Sequence, residues 1–166
     1  VPRDAKLKEI VAISYHTLDA YGFHAMEIVQ CLAERRLGGE TGIKRVQTIV
    51  GDDVWKSDLY DRKLFEQALD RHLNQKRLRR KPLSELVKEP VLFVMEYNDG
   101  LRASVLTLNG AAGEWSAAWE LEDGTQDSAL FWTQEARPFF HFSLLSDGIE
   151  KMMHKTLRII KIETKR

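Results

Sequence analysis

A histidine and a glutamate three residues apart, His24 and Glu27, are the pair in this chain whose types and spacing could move a proton. On a helix, residues three apart are neighbours, so the carboxylate can orient the imidazole and favour its charged form. A helix N-terminus acts the other way and favours the neutral ring. A neutral imidazole suits a general acid/base or a hydrogen bond to a substrate hydroxyl. The alternative for the pair is a capping or core-edge histidine with a surface glutamate.

Other constellations are weaker. His16, His24 and His141 with Asp19 could be drawn onto a metal ion, but there is no His-Glu-x-x-His and no cysteine pair. The run Lys76-Arg77-Leu78-Arg79-Arg80-Lys81 could touch phosphate, yet no aromatics interleave with it and it reads as a solvated loop. Trp115 and Trp119 share one face of a strand with Ala117. That face is either core beneath helices or a sticky surface for another domain or subunit. The chain has no Gly-x-Gly-x-x-Gly, no Gly-x-x-x-x-Gly-Lys-Ser/Thr and no Gly-x-Ser-x-Gly, so it carries no dinucleotide or phosphate cradle of its own.

The elements that would position these groups follow from periodicity. Glu9–Tyr15 is a nearly continuous apolar run that reads as a strand covered on both faces. A polar turn broken at Gly22 follows, and a first helix spans about Phe23 to Arg36, which places His24 in its first turn. Its apolar stripe is Ala25, Ile28, Val29 and Leu32; Cys31 reads as core. Ile43–Val50 is a second strand. A second helix runs from Ser57 or Asp58 to about Leu73, with Phe65, Ala68, Leu69 and Leu73 inward.

From Pro90 to Gln134 four strands are expected, Val91–Tyr97, Leu101–Leu108, Glu114–Leu121 and Asp127–Thr133. They are separated by Asn98-Asp99-Gly100, Asn109-Gly110 and Asp123-Gly124 turns and read as an antiparallel meander. A third helix covers Phe139 to Met153, and Thr156–Glu163 reads as a last strand. The order predicts one domain over residues 1–166 of α+β class: a mostly antiparallel open sheet with helices packed on one face.

With 166 residues, 43% hydrophobic and 30% charged, the chain can bury a core. Lys plus Arg equals Asp plus Glu at 25 each, so no global field steers it toward nucleic acid. No apolar run suits a membrane span, and the N-terminus is unlike a signal peptide. A cytoplasmic location is expected. The chain does not begin with Met and reads as a processed product or a fragment of something longer.

Three stretches resemble the C-terminal domain of Gfo/Idh/MocA-type oxidoreductases, in particular a divergent bacterial branch. They are Tyr21-Gly22-Phe23-His24-Ala25-Met26-Glu27 continuing to Gly42; Leu86–Val91 with Asp99–Ala103 and Leu108-Asn109-Gly110; and Arg137-Pro138-Phe139 with Gly148–Met153. The resemblance implies an open sheet with helices on one face, a sugar-like or small hydroxylated substrate, and NAD(P) held by a separate Rossmann domain. It also implies homo-oligomers formed through the sheet face. His24, behind Gly22, matches the family's acid/base or substrate-binding histidine, with Glu27 or Asp19 to orient it. Ala20 stands where the family has aspartate. A non-catalytic module that self-associates through Trp115 and Trp119 is the other reading.

Overall fold

A computed structural model describes residues 1–131 and 141–163. They fall into two units, residues 1–131 and residues 132–166. The first is a six-stranded sheet, with β1 (Leu7–Ser14), β2 (Ile43–Val50), β3 (Val91–Tyr97), β4 (Arg102–Thr107), β5 (Trp115–Leu121) and β6 (Gln126–Phe131) in the order β2-β3-β4-β1-β5-β6. β1 runs parallel to β4 and every other neighbouring pair is antiparallel, so the α+β class with a mostly antiparallel open sheet holds. In place of a continuous four-stranded meander there are two hairpins, β3–β4 and β5–β6, with β1 inserted between them. β1 takes the centre because seven of its eight residues are buried, and an interior strand needs apolar residues on both faces.

The helices lie on both faces of the sheet rather than one. α1 (Leu18–Ala33) packs Ala25, Val29, Leu32 and Ala33 onto Ile10, Ala12, Ala103, Val105, Ala117 and Trp119. Between β2 and β3 the chain makes a long excursion through α2 (Asp53–Lys56), α3 (Arg62–Asp70), α4 (Gln75–Leu78) and α5 (Leu83–Leu86). There Leu64, Phe65, Ala68 and Leu69 of α3 pack on Val11, Ile13, Leu106 and Ala118. Successive β1 residues thus alternate between the two cores, which is the period-two consequence of a strand buried on both sides. Asp61 caps α3 by accepting from the Leu64 N–H at 2.8 Å. Glu9, buried in β1, accepts from the Asp61 N–H at 3.2 Å and from the Arg102 guanidinium at 2.7 and 3.1 Å. One carboxylate therefore ties the start of α3 to the sheet.

The second unit contains α6 (His141–Glu163), in which Phe142, Leu145, Ile149 and Met152 are exposed. It absorbs Thr156–Glu163, expected as a strand. No Gly or Pro follows Gly148, and Ile149, Met153, Leu157 and Ile160 keep a spacing of three and four. The last two residues of the expected strand Asp127–Thr133, the first two of the expected helix Phe139–Met153, and Arg137-Pro138 lie outside the described residues.

Candidate functional site

β1 ends at Ser14, and only Tyr15, His16 and Thr17 separate it from α1. His16 takes a positive φ of 65° to turn the chain, a conformation that costs a non-glycine residue about 1 kcal/mol or more. Thr17 is the extended N-cap. The helix therefore starts five residues earlier than its sequence suggests, and Gly22 is a helical residue rather than a turn. A Cβ there would stand 2.8 Å from Leu18 Cδ1, so the glycine lets Leu18 fold back along the helix. His24 consequently sits in the second turn, away from the terminal N–H groups whose field falls off within the first.

Glu27 does what the spacing predicts. His24 Nδ1 lies 2.9 Å from Glu27 Oε2, with the two side chains 51% and 52% exposed, so a ligand can reach the ring. Asp19 does not join them. It is exposed in the first turn of α1 and lies about 140° around the helix from His24. Among the described residues, His24 Nε2 has no hydrogen-bond partner.

Around the imidazole the structure assembles an aromatic floor. Tyr15 and Tyr21 stack with centroids 4.8 Å apart, and Trp115 lies 4.7 Å from Tyr15 and 5.2 Å from Tyr21. His24 meets Tyr21 at 6.0 Å and Trp115 edge-on at 6.2 Å. His16 closes the other side, 5.2 Å from Tyr21. Tyr15, Tyr21 and Trp115 are half-buried. Trp119, by contrast, is 5% exposed beneath α1, so the face it shares with Trp115 is core at one end and site at the other.

Further along α1, Cys31 and Leu32, with Arg35 just past its end, join Arg3, Trp119 and Phe131 around a hollow of about 720 Å³. Cys31 is exposed there rather than in the core. Among the described residues no three His, Cys, Asp or Glu side chains approach closely enough to hold a metal ion; the His141 side chain lies outside them.

Among the buried polar residues that the sequence reading did not mark are His72 and Arg36. His72, with no exposed side-chain surface, places Nδ1 3.0 Å from Glu114 Oε2 and Nε2 2.9 Å from Ser116 Oγ. Burial holds its pKa below the ordinary value, against the opposing pull of Glu114. The order Ser-His-Glu is that of a hydrolytic triad, but Ser116 is wholly buried, which closes it to any substrate. Arg36, 3% exposed, donates to Ala33 O at 2.6 Å, Thr41 Oγ1 at 2.7 Å and Asp99 Oδ2 at 2.7 Å, and lies 4.8 Å over the Tyr97 ring. That guanidinium holds the Asp99 carboxyl below the usual carboxylate range.

Both residues were legible from spacing. Counting i, i+3, i+4 and i+7 from Phe65 gives Ala68, Leu69 and His72; from Val29 it gives Leu32, Ala33 and Arg36. Leu73, preferred for its hydrophobicity, is 67% exposed.

Comparison of the chain with models of protein families, with curated proteins and with solved structures found no match.

Proposed function

We propose that this chain is the substrate-side domain of a Gfo/Idh/MocA-like oxidoreductase acting on a small hydroxylated, sugar-like compound. The observation that carries the reading is the 2.9 Å contact of His24 Nδ1 with Glu27, beside the aromatic floor of Tyr15, Tyr21 and Trp115. A carboxylate on Nδ1 fixes the tautomer and leaves Nε2 to the substrate, the division of labour that orients a catalytic imidazole. The aromatic faces suit the apolar C–H side of a sugar ring, while the imidazole meets a hydroxyl.

No residues of this chain form a glycine-rich phosphate cradle, so NAD(P) does not fit here and would be held by another segment. The part left to this domain is proton transfer: His24 Nε2 accepts the hydroxyl proton of the bound alcohol, and Glu27 stabilises the resulting imidazolium. His24→Ala in the complete enzyme is expected to cut turnover by about 10²- to 10⁴-fold with the fold intact. Activity retained within a few-fold would retire the assignment.

Self-association is the second reading, and one observation re-sites it. Ile43, Val46 and Val50 of the edge strand β2 are 47%, 56% and 64% exposed, whereas Trp119 is enclosed. An interaction module would therefore use the β2 edge rather than the tryptophan face.

A further inference from the structure

We infer that His72 is a positioning residue for the His24 site, acting through the sheet as a latch on Trp115. Glu114 and Ser116 flank Trp115 in sequence. Because side chains alternate along a strand, those two point to the face covered by α3 while Trp115 points to the face covered by α1. His72 grips both flanking residues at once, at 3.0 Å and 2.9 Å. The indole between them has its ring placed 4.7 Å from Tyr15, 5.2 Å from Tyr21 and 6.2 Å from His24.

Three further observations support the latch. Trp115 Nε1 is buried with no hydrogen-bond partner, so no polar contact of its own fixes the ring. The ladder between β1 and β5 ends at Ile13 opposite Ser116, so Trp115 lies one residue beyond the central strand and pairs with Phe131 of the outer strand β6. Glu114 lies outside β5 altogether, and its side chain is tied to His72 by a hydrogen bond of 3.0 Å. The strand end that carries the aromatic floor is thereby tied to the α3 side of the sheet by one imidazole. The bearing of this on catalysis rests on the reading of His24 above; the latch itself does not.

The test is the proton NMR signal of His24 Cε1–H, assigned by its loss in His24→Asn, because an indole beside the ring displaces it through its ring current. Trp115→Leu defines the shift without the indole. His72→Leu is expected to carry the signal at least half-way to that limit, and Ser116→Ala part of the way. Glu114→Gln, which can still accept from His72, is expected to leave the signal in place. Val54→Ala, a core substitution near β2 on the same sheet face, serves as the control for loosening of the core alone.

If His72→Leu does not fold, Ser116→Ala against Val54→Ala carries the test. A His24 signal that moves no further in the folded latch variants than in Val54→Ala overturns the proposal. The readout needs no substrate, so failure of the catalytic reading, seen as undiminished turnover in His24→Ala, is a separate result.

Discussion

Replacing His72 by leucine is predicted to cost far more than replacing the whole cluster. The imidazole has no exposed surface and satisfies both Glu114, whose side chain is 8% exposed, and the fully buried Ser116. Leucine leaves a hydroxyl and a carboxylate without partners. An unpaired buried hydroxyl costs about 1–3 kcal/mol and a charged group more, which gives about 3–5 kcal/mol in total. For a domain of this size that lowers Tm on the order of 10 °C. The triple variant His72→Leu, Glu114→Leu, Ser116→Ala removes every polar partner together, and is expected to lie within about 1 kcal/mol of the parent.

The same buried ring sets a pH dependence. The unfolded chain takes up a proton on this histidine below about pH 6.5, while burial keeps the folded one neutral to lower pH. Stability is therefore full above about 6.5 and falls as pH drops toward the lowered folded value, by at most about 1.4 kcal/mol per unit. Urea titrations of parent, single and triple variants between about pH 5 and 8 measure both effects. A single variant that loses less than about 1 kcal/mol, or a triple variant as unstable as the single, would mean that His72 is not what satisfies Glu114 and Ser116.

Gly22→Ala is expected to stabilise the protein by up to about 1 kcal/mol, since Ala is the better helix former and the Leu18 tip it meets is 43% exposed and free to turn. Thermal melts check this, and a loss of stability would restore a turn at Gly22. Arg36→Met is expected to cost about 3 kcal/mol, the low end for breaking a buried pair, because Asp99, 32% exposed, can rehydrate. The contribution of that pair is present above the unfolded carboxylate pKa of about 3.9 and lost as pH falls through the lowered folded value of Asp99. Acid denaturation of the Arg36→Met variant should therefore lack that component.

The strand Ile43–Val50, the buried first strand and both Asp-Gly hairpins were legible because alternation, β-branched runs and turn glycines are local signals. The insertion of β1 between β4 and β5 was not, because pairing across about a hundred residues leaves no local trace. The one-face arrangement failed for a related reason. β1 reads as apolar on both sides, and that pattern calls for cover on both faces, yet nothing local says which helix supplies each layer.

The His24–Glu27 contact followed from helical spacing alone. The aromatic floor did not, since Trp115 reaches Tyr21 from about ninety positions away. His72 and Arg36 were hidden by their polarity, although each occupies the next position of an apolar stripe.

Binding at the His24 floor is tested most directly by titrating the chain with a panel of sugars, sugar acids and polyols while following two-dimensional NMR spectra. Saturable shifts are expected for at least one compound, centred on Tyr15, Tyr21, His24 and the Trp115 indole and abolished in His24→Ala. Shifts that cluster at the hollow beside Cys31 and Arg35, or a panel that leaves those four residues unmoved, would contradict binding at the His24 floor.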